Sequence, residues 1–223
     1  MQNEPPKPFH YAPPMTPYLA VIHRDDDILV LSKPSGLLSV PGKPAEHADC
    51  LESRASELYP SARTIHRLDK DTSGVVVMGM NRKAHADISM QFETRKTNKS
   101  YVARVWGYVA QDKGRVDLPI ACDWPNRPKQ MIDHEKGRSA QTDWEVIERE
   151  ATTTRLRLYP ATGRSHQLRV HMLSLGHPIL GDNFYAHAEA FAAAPRLQLH
   201  AETLEFQHPG NGRACLFRVE CPF

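Results

Sequence analysis

The sequence predicts an α+β domain built on a mixed, largely antiparallel β-sheet flanked by helices and loops. Short strand-like runs follow one another with little helix between them, as at Gln141 to Ile147 and Thr153 to Tyr159. The few helical stretches are interspersed among runs of consecutive strands, the pattern of α+β architecture. At 223 residues the chain is long enough to bury one sizeable core. It shows no internal repeat and no glycine-rich nucleotide fingerprint.

The elements follow in order. Met1 to Tyr18 holds six prolines and reads as a flexible or surface-hugging tail, leaving residues 19–223 as a single domain. Ile28 to Leu31 is an apolar run ended by Lys33-Pro34-Ser35-Gly36, a turn signal. Asp49 to Tyr59 predicts a helix, with Asp49 and Glu52 spaced as a capping pair and Leu51, Ala55 and Leu58 on one face. Gly74 to Met80 predicts a buried strand, and Arg82 to Arg95 a helix with Ala84, Ile88 and Phe92 on one side. From Lys99 to Val109 the pattern alternates, with Tyr101, Ala103 and Val105 on one face and Val102, Arg104 and Trp106 on the other. Further strands are expected at Leu197 to Phe206 and Cys215 to Glu220. Arg164 to Leu175 predicts a helix closed by Gly176, with Leu168, Met172 and Leu175 as its apolar stripe.

The formal charge is +2, and the placement of charge says more than the sum. Thr94 to Gln111 carries Arg95, Lys96, Lys99 and Arg104 without an acid; Thr152 to Gly176 carries Arg155, Arg157, Arg164 and Arg169, again without one. Such local positive patches on a nearly neutral chain suit a polyanion held at one face. Cys50, Cys122, Cys215 and Cys221 form no CxxC pair, which fits core thiols in a reducing compartment. No apolar run reaches membrane-spanning length and the start lacks a signal-peptide pattern, so a cytoplasmic protein is expected.

Three segments carry chemistry. His66-Arg67-Leu68-Asp69-Lys70-Asp71-Thr72-Ser73-Gly74 sets a carboxylate among cations, which favours the ionised, reactive form. An EF-hand reading fails because the twelfth loop position is Met80 and not a bidentate Glu. Tyr101 lies in Lys99-Ser100-Tyr101-Val102-Ala103 on a strand, where pattern alone reads as core. Thr162-Gly163-Arg164-Ser165-His166-Gln167-Leu168-Arg169-Val170-His171-Met172 holds two histidines at a spacing unlike the zinc motif HExxH, so no metal is assigned. Helical geometry sets Arg169 at the flank of the apolar stripe, where it can reach inward.

These three segments, in this order, resemble the motifs of the RluA-type pseudouridine synthases. Lys33-Pro34-Ser35-Gly36-Leu37, Gly176-His177-Pro178-Ile179-Leu180-Gly181-Asp182 and Leu199-His200-Ala201 match accessory stretches of that family. Cys122-Asp123-Trp124-Pro125-Asn126-Arg127-Pro128-Lys129-Gln130 points to its short, dual-specificity large-subunit subgroup, which lacks the N-terminal RNA-binding module of many relatives. The resemblance implies the pseudouridine synthase fold and an isomerase that detaches uracil from its ribose within RNA, turns it and rejoins it through carbon. It implies Asp69 as the catalytic carboxylate, Tyr101 as the ring that stacks on the base and Arg169 as the ion-pair partner of Asp69. It also implies large-subunit rRNA (the 23S type) and the tRNA anticodon arm as substrates. No cofactor is expected.

A uridine in folded RNA must leave its stack before a carboxylate reaches its sugar, at a cost of about a few kcal/mol. Arg67 is read as inserting where the base leaves, with His66, Lys96, Lys99, Arg127, Lys129, Arg164 and His166 as further RNA contacts. Trp124 either stacks on RNA or packs under its loop. A non-catalytic RNA-binding or chaperone protein on the same fold is the rival reading, and an N-glycosidase that frees the base is a second. A monomer is expected.

Overall fold

The structure, a computed structural model, describes residues 11–223. Of the proline-rich stretch expected as a tail, residues 1–10 lie outside the described residues. Residues 11–18 lie along the first helix, held by the buried Arg54, which donates to the Pro14 and Tyr18 carbonyls at 2.8 and 3.0 Å.

The strands are β1 (Ala20–Arg24), β2 (Ile28–Lys33), β3 (Arg63–Thr64), β4 (Ser73–Gly79), β5 (Asn98–Trp106), β6 (Lys113–Asp117), β7 (Ile120–Cys122), β8 (Gln130–Ile132), β9 (Gln141–Arg149), β10 (Thr153–Pro160), β11 (Leu199–Gln207) and β12 (Ala214–Arg218). Four helices join them: α1 (Leu51–Leu58), α2 (Arg82–Glu93), α3 (Gln167–Ser174) and α4 (Ala188–Ala192). Ten strands form one sheet with the path β1-β2-β4-β11-β5-β10-β9-β6, while β12 extends from β11 and β3 from β4. The β4–β11 pairing is parallel and the other named pairings are antiparallel, so the sheet is mixed and largely antiparallel as predicted. Strands β7 and β8 form a separate hairpin.

Two apolar clusters lie side by side. One gathers β2, β4, Leu51, Ala55 and Ile88; the other gathers Ala103, Val105, Leu156 and Leu158 from β5 and β10 with Leu168 and Met172 from α3. Strand β4 is buried along its whole length, which explains a near-continuous apolar run where a one-faced strand would alternate. The parallel join is tight: a Cβ on Gly74 would lie 2.1 Å from the Ala201 carbonyl oxygen, and φ there is +123°. Only glycine meets both demands, which gives the glycine of the Asp69 segment a structural reason.

Three local expectations are corrected. Asp49 does not cap α1; Cys50 is the N-cap, paired reciprocally with Ser53, while Asp49 instead holds the Arg54 guanidinium in a bidentate pair. A carboxylate facing a buried guanidinium gains more from that pair than from one backbone N–H. Helix α3 starts at Gln167 and not at Arg164, because His166 takes a left-handed backbone, φ +53°, and breaks the turn. Of the four cysteines only Cys50 is buried, so the other three are not core thiols.

Candidate active site

The loop between β3 and β4 carries Asp69, and a second loop clamps it from behind. Lys33 is fully buried, and its Nζ donates to the carbonyls of Pro34, Leu37 and Lys70 at 2.9, 2.6 and 2.8 Å. Burial pushes its ammonium down to about 7, against the pull of the Asp71 and Asp69 carboxylates, and its three N–H bonds are matched by three carbonyl acceptors. The Gly36 N–H donates to the same Lys70 carbonyl, and Ser35 Oγ donates to the Asp71 carbonyl. Ser39 Oγ donates to the Leu68 carbonyl and accepts the Leu68 N–H. The accessory motif therefore fixes the backbone after Asp69, and Ser39, two residues beyond it, fixes the backbone before it.

Asp69 faces a cavity of about 100 Å³ lined also by Arg67, Lys99, Tyr101, Arg164 and Arg169. Arg169 Nη1 lies 3.6 Å and His166 Nε2 4.0 Å from Asp69 Oδ2. Lys70, its sequence neighbour, turns away to pair with Asp71 at 2.9 Å. The main partner of Arg169 was not foreseen. Asp182 is 0% exposed and takes Arg169 Nε and Nη2 at 2.8 and 2.6 Å, while its Oδ1 also accepts the N–H groups of Phe184 and Tyr185. Arg169, itself 2% exposed, would be pushed down by burial; the Asp182 contact more than offsets this and holds it up as a cation. Its remaining edge is what Asp69 meets. The only sequence signal for Asp182 was its place at the end of an accessory motif.

Tyr101 packs against both apolar clusters and lines the cavity. Burial, with the Asp69 charge beside it, pushes its hydroxyl well above the usual phenol range, so it stays neutral. His166 Nδ1 lies 2.7 Å from the Tyr185 hydroxyl, which in turn accepts the Gln130 N–H from the β7–β8 hairpin. Burial pushes Tyr185 up to about 12, so it is a phenol that donates to His166. Burial also lowers the His166 imidazole, against the pull of Asp69.

The other expected RNA contacts divide. Arg67, Lys99, Arg164 and His166 line the cavity; Lys96 and Arg127 lie exposed and Lys129 half-buried, all three outside it. Burial lowers the Lys99 ammonium. His66 is a correction: its ring stacks on Phe92 at 4.5 Å and its Nε2 accepts the Val77 N–H, so the imidazole serves the fold and is not offered to a ligand. Burial, with repulsion from Lys99, holds it down to about 3. Trp124 is 68% exposed with Arg127 4.4 Å over its ring, which rules out packing beneath the loop.

A family model described as RNA pseudouridylate synthase matches residues 27–174. The chain belongs to the RNA pseudouridylate synthase family. The dual-specificity RNA pseudouridine synthase RluA of Escherichia coli is 53% identical over 96% of this chain and 98% of its own length. The protein of the same name from Yersinia pestis is 52% identical over 92% of this chain and all (100%) of its own. Among solved structures, human RNA pseudouridylate synthase domain containing 1 superposes with a TM-score of 0.75 at 26% identity, covering 92% of this chain and 84% of that one. As a member of this family the chain is an isomerase, and among the described residues no helix is long and apolar enough to cross a membrane.

Proposed function

We propose that the chain isomerises uridines to pseudouridines in large-subunit rRNA and in the tRNA anticodon arm, with residues 19–223 as the catalytic domain. The observation that carries this reading is the convergence of Asp69, Tyr101 and Arg169, from three separate segments, on one cavity, in a chain more than half identical to dual-specificity enzymes. Asp69 is the catalytic carboxylate, oriented by Arg169. Tyr101 stacks on the flipped uracil, which offsets about 1 to 3 kcal/mol of the cost of unstacking it. Arg67, exposed at the cavity rim, fills the space the base leaves.

The glycosidic C–N bond breaks, uracil leaves as a resonance-stabilised anion and stays in the cavity. It then rejoins the same ribose carbon through carbon 5, whose proton goes to solvent while the freed nitrogen 1 takes up a proton, so the product is a neutral isomer. A delocalised leaving group loosens the need for the second carboxylate used by glycosidases, and Asp71, tied to Lys70, is not a candidate for one. The chemistry requires no redox or phosphoryl-transfer step and so no cofactor. The protein works as a cytoplasmic monomer.

The test is tritium release from tRNA and rRNA-fragment transcripts labelled at uracil carbon 5. Wild type is expected to release tritium from both, and Asp69→Asn from neither at matched RNA binding. Release by Asp69→Asn at the wild-type rate would overturn the assignment, and release of free uracil would favour an N-glycosidase.

A further inference from the structure

The small cavity opens into a groove of about 1190 Å³ at the end of the sheet where β5 begins and β10 ends. Lys99, Thr162 and Arg164 line both. Five arginines stand on the groove walls; Arg157 and Arg218 pair with Glu202, and the other three come each from a different part of the chain. Arg95 follows α2, Arg138 follows the β7–β8 hairpin and Arg164 precedes α3.

Among the described residues none of the three forms an ion pair, although carboxylates are at hand. Asp143 is taken by Arg115, and Glu202 by Arg157 and Arg218. Glu205 accepts from Asn98, and Glu93 pairs with none of the three arginines. The arginines also repel one another, since Arg138 and Arg95 both disfavour the charge on Arg164, after burial. Arg138 is fixed through its backbone and Arg164 through its side chain. Arg138 exchanges both backbone hydrogen bonds with Ile120, and Arg164 Nε donates to the Ser139 carbonyl at 3.1 Å, tying its side chain to the residue after Arg138.

Arg95 is placed by the end of α2. It holds φ +58°, the left-handed conformation that closes a helix, and there the Arg95 and Lys96 N–H groups donate to the Phe92 and Gln91 carbonyls, which offsets the backbone strain. Its side chain is exposed and makes no ion pair. Among the described residues the mutual repulsion of the three arginines is not relieved by a carboxylate. An anion held among the three guanidinium groups would relieve the repulsion, and planar forks of this kind are matched to phosphate oxygens.

We propose that Arg95, Arg138 and Arg164 form a phosphate clamp that holds one phosphodiester of the substrate RNA, a few nucleotides from the uridine seated over Asp69. This rests on the RNA-isomerase reading above and adds a discrete backbone subsite to it. The clamp fixes the strand without reading its sequence, so it sets affinity and register and leaves the chemical step alone.

The experiment measures binding and turnover separately, using the tRNA transcript as probe. Arg95→Gln, Arg138→Gln and Arg164→Gln, singly and in pairs, are titrated with the transcript between about 50 and about 200 mM salt. Each single variant is expected to raise Kd about tenfold and to lower the slope of log affinity against log salt by about 0.7, the value for one single-strand phosphate. Pairs are expected to lose little more than singles, because all three share one phosphate. For Arg95→Gln and Arg138→Gln, which lie outside the Asp69 cavity, single-turnover tritium release at saturating RNA should stay within about twofold of wild type, and the melting temperature should be unchanged. In wild type, one methylphosphonate linkage near the target should reproduce the loss, and it should cost nothing further in the variants.

Wild-type Kd and salt slope in all three single variants would overturn the clamp, and so would strictly additive losses, which place the arginines on separate phosphates. Because binding is read without turnover, a wild type that binds and releases no tritium defeats the isomerase reading alone. The clamp would still be decided by the salt slopes.

Discussion

Replacing Asp182 tests the arrangement of the site most directly, because this residue touches no substrate in the reading above. Asp182→Ala strands the Arg169 guanidinium, 2% exposed, and removes the acceptor of the Phe184 and Tyr185 N–H groups. Breaking a buried pair from one side costs about 3 to 5 kcal/mol. Asp69, at 3.6 Å, remains as a partial partner and keeps the loss near the middle of that range, about 4 kcal/mol. For a chain of this size that is a fall in Tm of about 8 to 16 °C. Asp182→Asn keeps Oδ1 for the two backbone donors and loses the charge, so about half that destabilisation is expected. Below the melting transition both variants should bind RNA as wild type does. Their turnover should drop about a hundredfold, because a guanidinium displaced by about 1 Å no longer orients Asp69. Thermal unfolding and single-turnover tritium release on the same samples supply both numbers. A folded Asp182→Asn enzyme with wild-type turnover would refute the claim that Arg169 must be held from behind to hold Asp69 in front.

Two further predictions concern titration and stacking. The His66 imidazole is held down to about 3 by burial, against about 6.5 in the unfolded chain, so between these values the unfolded state binds the extra proton. Stability therefore falls as pH drops through that window, by up to about 1.4 kcal/mol per unit. His66→Gln keeps an acceptor for the Val77 N–H, and urea unfolding between about pH 4 and about pH 6 should give a shallower slope; an unchanged slope would contradict the assignment. Tyr101, whose hydroxyl is kept neutral by burial and Asp69, contributes its ring. Tyr101→Phe should turn over within a few-fold of wild type, while Tyr101→Ala, compared at temperatures where it is folded, should lose about 1 to 3 kcal/mol of stacking. Equal rates for the two would remove the stacking role.

The alternating faces of β5, with Tyr101, Ala103 and Val105 turned to one cluster, were legible because burial follows the strand period directly. The short strands β1, β6, β7 and β8 were not, since runs of three to five residues are too short to show a period. Asp69, Tyr101 and Arg169 were found through local motifs, and motifs name residues without their surroundings. Asp182 escaped a role because a bidentate contact depends on the fold between α3 and the following loop, and His66 was misassigned because its neighbour Phe92 is distant in sequence. Arg95 was visible as one charge in a run; its left-handed backbone and its two companions from elsewhere in the chain were not.

The seam between the two apolar clusters has a consequence for heat inactivation. Asp69 is anchored to the lobe of β2 and β4, Arg169 rides on the lobe of β5 and β10, and Tyr101 touches both. The two lobes meet at β11, whose Ala201, Leu204 and Phe206 join the first cluster and whose Leu199 joins the second; it pairs with β4 on one side, close against Gly74, and with β5 on the other. A slip of one lobe against the other by the width of a methyl group would separate the carboxylate from its cation while leaving each lobe intact. The enzyme carries its own strain gauge, and loss of turnover on warming should precede loss of secondary structure.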